Sequence, residues 1–580
     1  MFENRTKILA IAYVVCIFAL VIRLAYLQII QHETYTVLSE KNRIRVRFAP
    51  PIRGKILDRN EKELTQNKVL YQAYFSKKKE WKEIEPYLQK YSHIFQWNEP
   101  IPVPQSTGFT FKNNLSFDDI AFLESHHLDL PAVSIKKIWV RNYSLEEKSP
   151  HFLGYTGMSD EKHSLFSYLP SLYVGKSGVE KSYDSLLTGF PGMTVEEVDA
   201  FGRNVRNISE KAAEDGKDIH LTIDRRLQDY MQGVLSQERS GSAVVMDMYT
   251  GELFGLCSYP TFDPSIFSHS LKKDDWEKLV NDPEKPLLDK SLKGNYAMGS
   301  IIKPLVALSA LENKIITPET TFVCTGKKRI GDRDFHCWNR YGHGAVNLNQ
   351  AIRSSCNIYF YELGCKLKPE QLIDTYKQFG FGQKTHVDLP NESAGLLATK
   401  EWVQKYRKRN WQRSDTIFLS IGQGVILATP LQLAVMTAGV VNGGYKVEPF
   451  LGQREADKVG AKLPVNALYL DMIKQALYDV VNHPSGTGYR HRIDPSKGWK
   501  MGGKSGTAQV RKMTEADRKS GNHGADWEWK FRDHSVFAGF ADRYVVVVVI
   551  DHGGFGSAKA APIAKQILTF WMDLIKQSPN

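Results

Sequence analysis

The sequence predicts an α+β protein with an antiparallel sheet covered by helices, preceded by a β-rich N-terminal module and one membrane-spanning helix. Three observations predict this architecture. An apolar run opens the chain, short apolar runs separated by glycines follow, and strand patterns then alternate with helical patterns to the C-terminus. At 580 residues the chain is longer than a single hydrophobic core usually supports. We therefore expect more than one folded domain.

The apolar run covers residues 8–30, with Arg23 as its only charged residue. A helix of that length can cross about 30 Å of hydrocarbon, and an arginine near the helix end can extend its charge to the interface. Arg5 and Lys7 precede the run, which favours a cytoplasmic N-terminus and sends the later residues to the outer side. No small-x-small cleavage site follows, so the pattern indicates an uncleaved signal anchor.

The charge of the chain excludes one class of partner. The formal net charge is +12 and the isoelectric point is near 9.1, which would suit an anionic partner. Lysines and arginines are nevertheless scattered among acidic residues instead of forming continuous runs. We therefore expect an ordinary solvated surface and no binding of nucleic acid.

The residues after the anchor divide into two predicted parts. Residues 45–217 form a β-rich pedestal, which begins at "RFAPPIRGKILDRNEKEL" and contains a smaller mixed head subdomain at about 61–145. Residues 218–580 form one α+β domain.

Four segments carry the prediction for this second part. They are the hairpin "GSAVVMDMYTGELFGLCSYP" turning at Tyr249–Gly251, the buried strands "HSVFAGFA" and "YVVVVVIDH", and a closing helix from Pro562 to about Lys576.

The segment "AMGSIIKPLVALSALEN" places Ser300 and Lys303 three residues apart at the start of an apolar helix. That spacing brings the two side chains to one face of the helix. A serine hydroxyl is a weak nucleophile until a base accepts its proton, and a desolvated lysine can be neutral enough to do so. The pair therefore indicates a serine nucleophile with a lysine base.

Each motif is weak when taken alone. Ser-x-x-Lys recurs at four other serines, and Lys-Ser-Gly occurs three times. Only the copy at Lys504 follows two glycines, precedes Thr507 and lies in the strand-like "KMGGKSGTAQV". A third element, Ser355-Cys356-Asn357, lies between Ser300 and Lys504 in the chain.

The order Ser-x-x-Lys, Ser-x-Asn, Lys-Ser-Gly-Thr inside one α+β domain resembles the penicilloyl-serine transferase family. With an anchor and a long N-terminal module, the chain resembles the class B penicillin-binding proteins. Four phrases are similar to the elongation-type branch (penicillin-binding protein 2), namely "PIRGKILDRN", "GKSGVEKSYDSLLTGFPG", "SIGQGVILATPLQLA" and "RDHSVFAGFA". The resemblance covers essentially the whole chain after the anchor. It implies a peptidoglycan D,D-transpeptidase of the bacterial inner membrane with its catalytic domain in the periplasm.

The resemblance also implies the roles of five residues. Ser300 would attack the carbonyl between two D-alanines of a stem peptide, release the last D-alanine and form an acyl-enzyme. Lys303 would accept the Ser300 proton. Ser355 would relay a proton to the leaving amine, and Asn357 would hold Lys303 and the substrate amide. Lys504 would offer positive charge to the substrate carboxylate.

Three residues after Lys504 would complete the substrate site. Ser505 and Thr507 would offer hydroxyl groups, and Gly506 would leave room for the peptide beside the strand. The backbone N–H groups of Ser300 and Thr507 would form the oxyanion hole. This chemistry requires no cofactor. The implied partners are peptidoglycan stem peptides on lipid-linked strands, β-lactams, a SEDS-family glycosyltransferase in the membrane and scaffold proteins of the elongation complex.

Four alternative functions fit less well. A Ser–His–Asp hydrolase would need a Gly-x-Ser-x-Gly elbow, which Ser300 lacks. A β-lactamase would not normally carry an anchor and a long pedestal. A β-lactam-sensing receptor would need a cytoplasmic signalling portion. A catalytically weak, β-lactam-binding scaffold of the elongation complex stays open, because no motif excludes it directly.

The segment from Cys324 to Asn357 contains three of the six cysteines and predicts a structural zinc site at Cys324, Cys337, His343 and Cys356. The spacing C-x12-C-x5-H-x12-C is longer than that of a zinc finger, so His336 or Asp334 could replace a ligand. A disulfide is the main alternative in an oxidising compartment, with Cys365 and Cys257 as further partners. Three thiols and one imidazole suit a tetrahedral shell, whereas one disulfide leaves a thiol unpaired.

Overall fold

The computed structural model describes residues 2–75, 86, 109–130, 133–144, 150–158, 173–199, 204–268, 273–452, 454, 460–511, 517 and 527–577. Its residues form two compact units. The described part of the first comprises residues 2–54, 185–199 and 204–217, and the second contains the remainder. The domain limits 45–217 and 218–580 stay a prediction. Much of the head subdomain predicted at about 61–145 lies outside the described residues.

The first unit begins with the predicted membrane helix. An α-helix over Phe2–Ala25 continues as a π-helical turn over Tyr26–Ile30. The segment Arg5–Ile30 is long and apolar enough to span a membrane, and none of its most apolar stretch is buried in the protein. Apolar side chains without protein neighbours require another apolar environment, which a lipid bilayer provides.

A helix over His32–Arg43 and a three-stranded antiparallel sheet complete the first unit. The central strand, Gly192–Val198, pairs with Ile44–Ala49 on one side and with Asn204–Lys211 on the other. Glu196 of the central strand is buried and lies 3.0 Å from the guanidinium of Arg47. This charge pair joins two strands that bury few apolar side chains.

In the second unit, a smaller three-stranded antiparallel sheet places Thr65–Phe75 between Phe109–Lys112 and Val133–Tyr143. The helix Phe117–Ser125 follows a capping box. The core of this region contains six buried side chains: Ala73, Phe75, Phe111, Leu115, Leu123 and Leu130. The other elements of this unit before residue 221 are the strands Ile56–Leu57, Thr156–Met158, Tyr173–Gly175 and Ile219–His220 and the helices Pro150–Leu153 and Gly178–Ser182. The helix Asp184–Leu187 begins in this unit and continues in the first.

A five-stranded antiparallel sheet forms the centre of the second unit. Numbered within this sheet in chain order, its strands are β1 (Gly241–Asp247), β2 (Leu253–Tyr259), β3 (Gly502–Ala508), β4 (His534–Ala541) and β5 (Tyr544–Ile550), arranged in the order β2-β1-β5-β4-β3. Every residue of β1 is buried, and so is β5 from Val545 to Ile550. Successive strand residues point to opposite faces, so both faces are covered. The predicted α+β fold is confirmed.

Helices cover this sheet. Arg225–Leu235 and the last helix, Ala560–Gln577, meet through the stacked rings of Tyr230 and Phe570, whose centroids are 4.0 Å apart. Pro430–Val441 is apolar on all sides and completely buried, as expected for a helix inside a large core.

The other elements surround this core. The remaining helices are Lys273–Asn281, Lys290–Lys293, Lys303–Glu312, Leu348–Arg353, Asn357–Lys366, Pro369–Gln378, Lys400–Arg407, Arg413–Leu419 and Ala467–Asn482, and short strands cover Phe322–Cys324, Lys327–Ile330, Arg333–His336, Gly344–Val346, Leu396–Leu397 and Ile426–Leu427.

Candidate active site

Ser300 lies in a 3-10 turn, Gly299–Ile302, that leads directly into the helix Lys303–Glu312. Gly299 has φ +53° and donates its N–H to the carbonyl of Gly422 at 2.9 Å. A Cβ on Gly299 would lie 2.5 Å from the carbonyl oxygen of Thr507. Only glycine tolerates both the left-handed backbone and this contact. The serine is thereby held beside the end of β3.

Lys303 is completely buried and makes three hydrogen bonds. Its Nζ donates to the carbonyl oxygen of Ser355 at 2.9 Å, to Ser355 Oγ at 3.2 Å and to Asn357 Oδ1 at 2.8 Å. Burial lowers the pKa of Lys303 to about 8. Part of the lysine population is therefore neutral near physiological pH, which a general base requires.

The segment that contains Ser355 and Asn357 has a specific local conformation. Ser355 has φ +53°, which lies in the left-handed region that residues other than glycine rarely adopt. Asn357 begins the helix Asn357–Lys366 and donates its Nδ2 to the carbonyl of His336 at 3.3 Å. Asn357 thus joins Lys303 to the strand Arg333–His336.

Lys504 lies on the edge strand β3 and is 2 % exposed. Its Nζ donates to the carbonyl of Ser505 at 3.0 Å. Burial, and then the charge of Lys303, lower the pKa of Lys504 well below its ordinary value. Two buried amines that repel each other cannot both hold a proton at little cost. Loss of the Lys303 proton therefore favours a charged Lys504.

The remaining residues of β3 differ in exposure, and Gly506 packs against the turn that carries Ser300. Ser505 and Thr507 are partly exposed, whereas Gly506 is buried. A Cβ on Gly506 would lie 2.7 Å from Ile301 Cγ1 and 2.8 Å from the carbonyl oxygen of Met298. Among the described residues, β3 has a sheet neighbour on one side only, so its other edge can accept an extended peptide.

Sequence reasoning missed two residues that help to position the site. The carbonyl of Gly422 accepts the Gly299 N–H, and Gln423 Nε2 donates to the carbonyl of Thr507 at 3.3 Å. Both residues belong to the phrase "SIGQG", which served only for the resemblance. The closely spaced glycines of that phrase were the available signal, because they predict a tight backbone approach.

The predicted metal ligands Cys324, Cys337, His343 and Cys356 come together. Their ligand atoms all lie within 4.8 Å of one another, and His343 Nδ1 lies 3.5 Å from the Sγ atoms of both Cys324 and Cys337. Tetrahedral zinc with ordinary bond lengths would separate sulfur and nitrogen by about 3.6 Å. The donor set therefore fits zinc.

The proton affinities of Cys337 and Cys356 depend on each other. A hydrogen bond from Cys356 lowers the pKa of Cys337 to about 3 and raises that of Cys356. A thiolate inside a group of thiols is the form that binds a metal. The alternative ligands Asp334 and His336 are not part of the cluster. Asp334 forms an ion pair with Arg329, and the backbone carbonyl of His336 accepts a hydrogen bond from Asn357.

A serine one helical turn before a buried lysine, next to the last strand of an antiparallel sheet, is the arrangement of the penicilloyl-serine transferase class. Family models agree with this class: the penicillin binding protein transpeptidase domain matches residues 241–569, and the penicillin-binding protein dimerisation domain matches residues 48–221. The chain belongs to the penicillin-binding proteins, in their class B, elongation-type branch.

Relatives over nearly the whole chain support this branch. The peptidoglycan D,D-transpeptidase MrdA of Acinetobacter baumannii is 34% identical over 98% of this chain and 87% of its own length. MrdA of Escherichia coli K12 is 29% identical over 98% of this chain and 94% of its own length. A complex of penicillin-binding protein 2 and MreC from Helicobacter pylori matches at 28% identity with a TM-score of 0.81, covering 92% of this chain and 99% of that one. The resemblance predicted from the motifs is confirmed.

Proposed function

We propose that this protein is a peptidoglycan D,D-transpeptidase whose nucleophile is Ser300. The relatives that match nearly the whole chain have that activity in their names. The observation that carries the assignment of residues is the buried amine of Lys303, one helical turn from Ser300 and hydrogen-bonded to Ser355 and Asn357.

The first half of the reaction forms an acyl-enzyme. Ser300 Oγ attacks the carbonyl of the penultimate D-alanine while Lys303 accepts its proton. The backbone N–H groups of Ser300 and Thr507 stabilise the negative charge that develops on the carbonyl oxygen. The peptide bond then breaks, and the amine of the last D-alanine leaves with a proton relayed through Ser355.

The second half transfers the acyl group. The amine of a neighbouring stem peptide attacks the ester carbonyl, loses a proton to the site and releases Ser300 with its hydroxyl restored. Before acylation, Lys504 and the hydroxyls of Ser505 and Thr507 bind the terminal carboxylate of the donor peptide, which later leaves with the last D-alanine. This arrangement orients the donor along the open edge of β3.

Acylation by a β-lactam tests the assignment, because the lactam presents a strained carbonyl where the D-alanyl-D-alanine bond would lie. Intact-mass analysis and peptide mapping after penicillin treatment should show one adduct, on Ser300. Ser300→Ala should remove the adduct and leave the thermal transition nearly unchanged. An adduct on another residue, or no adduct on well-folded protein, would refute the assignment.

The alternative is a β-lactam-binding scaffold that contributes no cross-links. Membranes depleted of the native activity should regain cross-linked stem-peptide dimers with this protein but not with its Ser300→Ala variant. Equal recovery with both proteins would favour the scaffold.

We also propose that Cys324, Cys337, His343 and Cys356 bind a structural zinc ion. The fit of the donor set to a tetrahedral shell supports this proposal. Cys356 lies between Ser355 and Asn357, so a metal bond there would hold both catalytic side chains from behind.

The location and partners follow the family. We propose that the N-terminal helix anchors the protein in the inner membrane, with the catalytic domain in the periplasm, because Arg5 and Lys7 precede the apolar stretch. The structure of the Helicobacter pylori relative in complex with MreC supports a scaffold partner for this chain. The family also implies a SEDS-type glycosyltransferase that contacts the anchor helix.

A further inference from the structure

Two exposed aromatic rings lie on the loop that supports the catalytic segment. Trp338 is 51% exposed and Tyr341 is 80% exposed, although both are large side chains within the folded catalytic region. They belong to the loop 338–343, which we call the aromatic loop. Several exposed apolar rings on one short segment can mark a ligand-binding or interaction site.

The indole of Trp338 is held in a fixed position. Its Nε1–H donates to the carbonyl oxygen of Ser354 at 3.0 Å, and its ring lies 5.4 Å from the imidazole of His343. Ser354 directly precedes Ser355, whose Oγ and carbonyl accept hydrogen bonds from Lys303. Trp338 is therefore hydrogen-bonded to the residue that precedes Ser355, and Ser355 is hydrogen-bonded to the amine of Lys303. The indole N–H of Trp338 is already used in this contact. The exposed surface that it offers is the ring itself.

The rest of the aromatic loop is also ordered. Asn339 accepts the backbone N–H of Tyr341 and donates to the carbonyl of Gly342 at 2.7 Å. The guanidinium of Arg340 lies 4.8 Å from the Tyr341 ring centroid and donates to its hydroxyl at 2.6 Å. Arg340 retains further N–H donors beside the ring. The loop thus presents two rings with hydrogen-bond donors next to them.

This combination suits a sugar. The C–H groups of a pyranose ring carry small positive partial charges and pack on the negative face of an aromatic ring. Acetamido and hydroxyl oxygens accept hydrogen bonds from donors such as Arg340. Tyr, Trp and Arg are also enriched at protein interfaces, but the centre of such an interface is mostly apolar, and the loop 338–343 contains no aliphatic residue.

The substrate supplies such sugars at the required distance. Under the proposed function, each stem peptide is attached to a glycan strand. A stem of five residues spans at most about 17 Å when fully extended. A glycan attached to a stem at Ser300 therefore lies within reach of a loop that contacts the Ser355 segment.

We propose that Trp338 and Tyr341 form a glycan-binding platform that stacks against the N-acetylated amino sugars of a peptidoglycan strand during cross-linking. This platform is separate from the residues that carry out acyl transfer, and it positions the strand to which the reacting stem is attached. It rests on the proposed function only for the source of the glycan.

Calorimetric titration of the full-length protein in detergent micelles tests the platform. The probe is a peptide-free oligomer of alternating N-acetylglucosamine and N-acetylmuramic acid, so no stem peptide can occupy the catalytic groove. Trp338→Ala and Tyr341→Ala should each weaken binding by about tenfold, whereas Trp338→Phe, which keeps a ring face, should stay within about threefold of the unmodified protein.

Trp276→Ala and Tyr406→Ala serve as matched controls. These rings are also exposed, at 43% and 59%, but lie outside the aromatic loop. Both control variants should bind the oligomer like the unmodified protein. Because the Tyr341 ring contacts Arg340 and not the catalytic segment, loss of binding in Tyr341→Ala cannot come from a displaced Ser355.

Three outcomes would overturn the platform. They are no saturable binding by the unmodified protein, binding by both alanine variants that is as tight as that of the unmodified protein, or loss of a protein partner in those variants without any binding of glycan. Failure of the proposed function is distinguishable. A protein that binds the oligomer with the expected variant pattern, but is never acylated by penicillin, would refute the enzyme assignment and leave the platform standing.

Discussion

At the scale of single residues, the site depends on placing two lysines where water cannot reach them. Lys303 is 0% exposed and Lys504 is 2% exposed, and both side chains make hydrogen bonds inside the protein. Desolvation disfavours the charged form of an amine. Burial thereby lowers the pKa of both lysines, which suits the roles of base and carboxylate-binding group proposed for them.

The pH dependence of acylation follows from the pKa of Lys303, which burial lowers to about 8. The neutral amine is the form that accepts the Ser300 proton, and its population rises as pH increases through that pKa. The acylation rate constant should therefore increase with pH, reach half its plateau near pH 8 and be about a hundredth of the plateau at pH 6.

Rapid-mixing measurements with a fluorescent penicillin would record this profile. Tryptophan fluorescence at each pH controls for unfolding. A rate constant that is flat, or that falls between pH 6 and about pH 8, would contradict a neutral Lys303 as the base.

A methyl group added to Gly299 should disable the site. In Gly299→Ala the Cβ would lie 2.5 Å from the Thr507 carbonyl oxygen, on a backbone with φ +53°. Ser300 and Thr507 must then separate, and we expect β-lactam acylation to slow by about a hundredfold or more. Gly498→Ala is the matched control, because Gly498 also has positive φ but faces open space. That variant should lose about 1–2 kcal/mol of unfolding free energy and keep its acylation rate. Equal acylation by both variants would refute the contact argument.

At the scale of elements, the segment from Cys324 to Asn357 connects the cysteine cluster to the catalytic residues. The backbone of Cys324 pairs with Gly344, that of His336 accepts from Asn357, and Cys356 separates Ser355 from Asn357. Short strands and turns of this kind bury little apolar surface. A metal bond would supply the stability that the local core lacks.

Removing one metal ligand should therefore affect both metal content and acylation. Protein purified without added zinc should contain about one equivalent of zinc, and Cys337→Ser should lose it. The same variant should lose β-lactam labelling and unfold at a lower temperature. Cys365→Ser is the control, since Cys365 lies outside the cluster, and it should keep both properties. A stoichiometric Cys337–Cys356 disulfide without bound metal would contradict the zinc site.

At the scale of the whole molecule, the membrane helix contributes location and not folding energy. No part of the apolar stretch within Arg5–Ile30 is buried in the protein. The five-stranded sheet and its helices form their core from residues after 220.

Deleting residues 1–30 should consequently yield a protein that remains soluble without detergent. Its rate of acylation by a β-lactam should stay within about twofold of that of the full-length chain, since the deleted apolar stretch is not buried in the protein. The full-length chain should sediment with membranes after carbonate extraction. A deletion variant that aggregates, or that is not acylated, would show that the helix also supports the fold.

The sequence alone determined those features that depend on short-range order. Apolar length predicted the long apolar N-terminal helix, and alternation and β-branched runs predicted the buried strands. The three-residue spacing put Ser300 one turn before Lys303, but Ser300 lies in a 3-10 turn and the α-helix begins at Lys303. The ordered set of three motifs identified the family. These inferences succeed because helix and strand periods are local properties of the chain.

Tertiary structure decided what those residues can do. Lys303 meets Ser355 and Asn357 across 52 and 54 residues, Gln423 reaches Thr507 across 84, and Trp338 binds the carbonyl before Ser355. No spacing rule predicts such contacts, because they depend on how helices pack against the sheet. The same packing removes water from Lys303, and that loss of solvent, which local sequence does not encode, makes an ordinary lysine able to act as a base.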